Sequence, residues 1–75
     1  MLTDEYIKKG KNGTFKARMV HYMNGKYCAS ISKLTPLFWD GFDHIITDDE
    51  EEARTKYEEY RKQVDDFVRG EQNVD

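Results

Sequence analysis

Apolar and polar positions change their period partway along this chain. In the last third, Ala53, Tyr57, Tyr60, Val64, Phe67 and Val68 recur at steps of four, three, four, three and one. That spacing places them on one side of a helix, and it predicts a single amphipathic helix from Asp48 to Arg69. Thr47 suits the N-cap, with Glu50 three residues on to close a capping box. Asp48, Asp49 and Glu50 suit the positive end of the helix dipole, and Arg69 followed by Gly70 suits the other. Glu50 with Arg54, Glu52 with Lys56, Glu58 with Lys62 and Asp65 with Arg69 stand at i,i+4 on the polar side.

Ahead of the helix the period is two. Alternation runs from Thr14 through Met23, Asn24-Gly25 signals a β-hairpin, and Lys26 to Lys33 or Thr35 returns. Two registers compete. A two-residue type I′ turn pairs Met23 with Lys26 and leaves both faces mixed. A three-residue loop with Gly25 as a bulge pairs Tyr22 with Lys26, and gathers Phe15, Ala17 and Met19 beside Tyr27, Ala29 and Ile31. The second register is favoured, because a packing helix requires one coherent apolar face. Pro36 ends the strand. Leu37 to Phe42 is an aromatic-rich connection, and Phe42 to Ile46 reads as a third strand leading into the Thr47 cap. At the start, Thr3 to Lys9 reads as a short helix, with Thr3 as cap, acids in its first turn and lysines in its last. The expected architecture is α+β: a three-stranded antiparallel sheet packed by one long C-terminal helix, with a short N-terminal helix. Residues 1–75 form one domain, and 70–75 a frayed tail.

Seventy-five residues allow one small core, and ten aromatic residues give it area. One cysteine excludes an internal disulfide, and the opening residues carry neither a basic stretch nor an apolar run. Together these lead to the expectation of a cytoplasmic chain. Asn12-Gly13-Thr14 matches a glycosylation sequon, which without a secretion signal is read as coincidence. Charge divides the chain. Residues 1–36 hold seven Lys/Arg against two acids, whereas residues 37–75 hold five against thirteen. A basic front half thus joins an acidic back half.

Candidate chemistry is sparse. His21 faces Cys28 only in the type I′ register; the bulge register separates them and removes a thiolate–imidazole pair. His21, Cys28, Asp43 and His44 have no spacing typical of metal ligands. The helix carboxylates lie among lysines on a solvated surface, where nothing raises one pKa for acid–base work. Gly10 and Gly13 lack the lysine-bearing helix of a phosphate loop. The expectation is therefore no enzyme, no metal and no cofactor.

Binding is better represented. In the bulge register Lys16, Arg18, Tyr22 and Lys26 share the sheet face away from the helix, which suits nucleic-acid contact. The run Gly13 to Arg18, the turn at Asn24-Gly25-Lys26, and Thr47 through Ala53 to Tyr57 resemble, over roughly residues 13–60, two kinds of three-strand-plus-helix DNA-binding domain. These are the N-terminal domains of phage-type integrases and the AP2 domains. That resemblance implies a sheet face laid against DNA. The segment Thr35 to Asp43 is longer and more aromatic than in that pattern, and Tyr27 to Ser32 has no basic residue. A second reading takes the acidic strip Asp48 to Glu52 with Glu58 and Glu59 as a nucleic-acid mimic that blocks a basic protein.

The preferred expectation is a small non-enzymatic module that binds a protein partner, as a regulator or inhibitor. Phe38, Trp39 and Phe42 are its anchors, since aromatics in exposed connections dominate binding energy. A 22-residue helix spans about 33 Å, more than three short strands cover. Val64, Phe67 and Val68 are accordingly a candidate homodimer seam.

Overall fold

The computed structural model describes residues 1–70, so the expected tail, Glu71 to Asp75, lies outside the described residues. Four antiparallel strands form one sheet in the order β1-β2-β3-β4: β1 (Leu2–Gly10), β2 (Gly13–His21), β3 (Tyr27–Leu34) and β4 (Trp39–Thr47). One helix, α1 (Glu50–Arg69), crosses one face of that sheet. The result is a two-layer slab with Cα extents of 37 × 31 × 16 Å. No helix among the described residues is long and apolar enough to cross a membrane.

The β2–β3 register is the one that collects the apolar residues. His21 pairs with Tyr27 and Ala17 with Ile31. Tyr22 N–H donates to the Lys26 carbonyl at 2.8 Å, and Gly25 N–H to the Tyr22 carbonyl at 3.0 Å. Gly25 has φ +88°, the left-handed conformation that glycine adopts without a Cβ penalty. Asn24 Oδ1 accepts the Lys26 N–H at 3.0 Å, closing the loop locally.

The sheet has four strands where the sequence suggests three, because Thr3 to Lys9 is part of β1 and not a helix. Seven residues are too few for a helix to hold without extensive packing. Extended, the same residues satisfy the open edge of β2, pairing Tyr6 with Ala17 and Gly10 with Gly13 across a two-residue turn. Extension also aims Tyr6 at the helix, where its hydroxyl donates to Asp65 Oδ1 at 2.6 Å. β4 is longer than expected as well. It starts at Trp39, and its ladder skips Phe42: Ile31 pairs with Asp43 and Ser32 with Gly41. This bulge interrupts the alternation that would have marked Trp39 to Asp43 as strand.

The helix begins later than its acidic run. Thr47 is still paired with Tyr27 at the end of β4, so it cannot adopt the cap position. Asp49 is the N-cap, accepting the Glu51 N–H at 2.9 Å. Thr47 Oγ1 accepts the Asp49 N–H and donates to Glu52, bracing the connection from outside. At the far end Gly70 adopts the left-handed conformation and its N–H caps the last carbonyls. Along the helix the ion pairs Lys56–Glu59, Glu58–Arg61 and Asp66–Arg69 are spaced i,i+3, while Arg54 reaches Asp4 on β1.

Phe15, Ala17, Met19, Ala29 and Ile31 from β2 and β3 meet Ala53, Tyr57, Tyr60 and Val64 from α1. Ala17 and Ala29 let the helix sit close, and Tyr60 fills the centre. At Gly10 the strand lies so near the end of α1 that an added Cβ would collide with the side chain and carbonyl of Val68.

Candidate protein-docking face

Alternation sends every second strand residue to the face away from α1, and the observed registers arrange those residues in rows across the sheet. Leu2, Val20, Cys28 and Ile46 make an apolar row. Glu5, Arg18, Ser30 and His44 make a polar row beside it, followed by Ile7, Lys16, Ser32 and Gly41. Trp39 and Leu34 pair at the far end. No layer of this chain's described residues covers the face, yet Ile7 is 50% and Ile46 53% exposed, with Leu2 and Leu34 close behind.

The face is not flat. Ahead of Leu34, β3 contributes only the small residues Cys28, Ser30 and Ser32 to it, so this part of β3 forms a furrow beside the longer side chains of β2. Lys16 lies across the Ser32 end. Its ammonium stands 4.1 Å from the centre of the Trp39 ring, two strands away, and the residue is only 7% exposed. A lysine stem lying along an apolar surface with its charge over an indole face satisfies both parts of the side chain. Glu5 Oε2 lies 3.8 Å from Lys16 and 3.9 Å from Arg18, so one carboxylate serves both cations. At the other end Tyr22 neighbours Cys28, and hydrogen bonding to that thiol raises its phenol above the ordinary value.

The four residues expected to form a basic surface are therefore divided. Lys16 and Arg18 are on the open face but share Glu5. Tyr22 sits at the margin, and Lys26 turns to Asp48 at the start of the helix, with Nζ 2.7 Å from its carboxylate. The three expected aromatic anchors are divided too. Trp39 lies on the open face, half-buried; Phe42 lies on the helix face, its ring edge-on to Phe67 at 5.9 Å. Phe38 is exposed in a turn closed by Thr35, whose Oγ1 accepts the Phe38 N–H at 3.0 Å. Leu37 is the exposed tip of that turn.

The distal helix stripe is largely occupied within the chain. Val64 is fully buried, Val68 packs against Gly10, and Phe67 stacks on Phe15 at 5.1 Å. The fourth strand supplies the cover that three would have lacked. In the acidic strip, Asp48 is paired with Lys26, Asp49 caps the helix, and Glu52 is held by Thr47. His21 and Cys28 face opposite ways: His21 stacks on Tyr27 at 4.2 Å, and Cys28 is on the open face. Among the described residues no three His, Cys, Asp or Glu side chains converge as metal ligands would.

Leu2, Ile7 and Ile46 escape sequence reasoning. The first two reach this face only because β1 is a strand, and Ile46 shares it with Trp39 only because the bulge at Phe42 shifts the alternation. The three-strand-plus-helix order of the DNA-binding domains is preceded here by β1 along the edge of β2. No protein-family model matches this chain, and neither does any curated protein or solved structure.

Proposed function

We propose that this chain is a small non-enzymatic interaction module that binds a protein, and that the partner docks on the sheet face opposite α1. One observation carries the reading: a face over which the described residues form no covering layer presents Leu2, Ile7, Leu34 and Ile46 on the same side as a half-buried tryptophan. A mixed apolar and polar surface with an aromatic anchor has the composition of a protein interface. Nucleic-acid binding through the same face is the second reading, favoured by Lys16 and Arg18 lying side by side on β2. Glu5 between them weakens it, since a phosphate would have to displace or face a carboxylate.

The test compares the tagged chain with Ile7→Asp and Trp39→Ala as baits in cell extract, with far-UV circular dichroism confirming each fold. A protein retained by the native chain and lost from both variants is the expected result. Identical capture by all three baits overturns the docking face. Binding to generic duplex that falls steeply with salt, and is abolished by Lys16→Glu with Arg18→Glu, makes nucleic acid the ligand instead.

A further inference from the structure

Resting on that docking face, we infer that the partner seated on it is a second copy of this chain, related by a two-fold axis running parallel to the strands. Such an axis lays each row of the open face over the same row of the other copy, with β1 over β4 and β2 over β3. The rows fit themselves in that arrangement. Val20 and Arg18 of β2 form a ridge that meets the furrow of the partner's β3, at the small residues Cys28 and Ser30. Leu2 falls over Ile46, so the apolar row closes on itself at both ends. In the polar row Glu5 falls over His44, setting a carboxylate against an imidazole N–H. An axis running across the strands brings the apolar row over the Trp39–Leu34 end and loses these matches.

The sheet edges are less inviting. β1 is interrupted by a bulge between Leu2 and Asp4, and β4 by the bulge at Phe42, and bulges of this kind discourage edge-to-edge pairing. The area sets the strength of association. Four strands at about 4.8 Å spacing and nine residues at about 3.4 Å rise give a footprint on the order of 600 Å² per copy. Doubled, that is near the lower end of specific interfaces, so the dimer is expected in the micromolar range.

Sedimentation equilibrium of the purified chain, from about 1 µM to about 500 µM, reads this directly. The expected result is a monomer–dimer equilibrium in that range. Ile46→Asp and Leu2→Lys, both at exposed positions, are each expected to weaken it about a hundredfold, because two-fold symmetry puts every substitution in the interface twice. Mixing the two variants is expected to restore association as a heterodimer, since the introduced carboxylate then faces the introduced ammonium. A native chain that stays monomeric throughout overturns the second copy as partner. If the extract experiment still captures a face-dependent protein, the docking face itself survives. A dimer indifferent to both substitutions, or variants that fail to rescue each other, also overturns the proposed arrangement.

Discussion

The two faces of this sheet are made by the same four strands and meet opposite demands. Under the helix, β2 and β3 offer Phe15, Ala17, Met19, Ala29 and Ile31, a run in which size alternates so that α1 can settle closely. On the other side the same strands offer Lys16, Arg18 and Val20 beside Cys28, Ser30 and Ser32, where charge and side-chain length vary and none of the described residues forms a layer above. The covered face is selected for shape. The open face retains enough apolar area to gain from a cover and enough charge to remain in water without one. The lesson is that an unpartnered face is best recognised by what its exposed apolar residues share: one side of one sheet.

The strongest way to break that comparison is truncation on each side. Ile31→Ala removes a fully buried side chain, and is expected to cost about 3–4 kcal/mol in denaturant unfolding. Ile46→Ala, measured on dilute protein, is expected to cost less than about 1 kcal/mol. In a domain this small the first change lowers the melting temperature by about 15 °C or more, and the second by a few degrees. Equal costs would mean that the open face is buried too. A cost for Ile46→Ala that grows with protein concentration would locate its cover in another copy.

Tyr60 sharpens the contrast from inside. Burial, aided by the nearby Asp43 carboxylate, pushes its phenol up to about 12, and its hydroxyl has no hydrogen-bond partner among the described residues. An acid whose folded pKa is raised leaves stability intact below the unfolded value near 10 and loses it as pH climbs through the folded value. That rise corresponds to about 2–3 kcal/mol lost between pH 10 and 12. Tyr60→Phe is expected to remove that part of the alkaline loss while leaving stability at pH 7 unchanged or slightly higher, since it deletes an unsatisfied buried group. Denaturant midpoints of both proteins at pH 7 and above pH 10 check this; parallel alkaline losses would mean the hydroxyl is solvated in the fold.

Gly10→Ala tests how closely the covered face is approached. The added methyl meets Val68 side chain and backbone together, so relief requires the end of α1 to move away from β1. A cost of about 1–3 kcal/mol is expected. The corresponding change on β4, Gly41→Ala, meets only Ser32 Oγ at 3.7 Å, an ordinary contact, and is expected to be near neutral. Comparable losses at the two glycines would remove the distinction.

How much of this was legible beforehand follows from where each signal lives. The helix and the β2–β3 register are carried by local periodicity and by the requirement for one apolar face, so Tyr57, Tyr60, Ala17 and Ile31 could be placed from the sequence. β1 could not, because Thr3-Asp4-Glu5 and Lys8-Lys9-Gly10 imitate the ends of a capped helix. Only the unsatisfied edge of β2, a tertiary fact, makes the segment a strand. The N-cap moved from Thr47 to Asp49 for a similar reason, since pairing with Tyr27 keeps Thr47 in the sheet. The open face suffered most. Phe42 and Trp39 are near neighbours in sequence and point to opposite sides, while Leu2, Ile7 and Ile46 are far apart and share one. Lys26 reads as basic surface in the sequence, whereas the folded turn brings it to Asp48.

A smaller expected effect concerns the shortest hydrogen bond by which the edge strand β1 is tied to the helix across the covered face. Tyr6 donates to Asp65 at 2.6 Å, and that bond, with Lys8 3.4 Å away adding to it, holds the Asp65 carboxyl below its ordinary range. A carboxylate whose folded pKa is depressed contributes stability that is complete above the unfolded value near 4 and is lost as pH falls through the folded value. The pair is partly exposed, so solvent screening limits it, and Tyr6→Phe is expected to cost only about 1 kcal/mol at pH 7. The native chain should lose that increment on acidification below pH 4, and Tyr6→Phe and Asp65→Asn should each lack it, so that their acid limbs run flatter and meet the native curve once Asp65 is protonated in the fold. Acid limbs of equal slope in all three proteins would show that the Tyr6–Asp65 bond adds nothing to the hold on β1, which would then rest on its ladder to β2, the Arg54–Asp4 ion pair and the packing at Gly10.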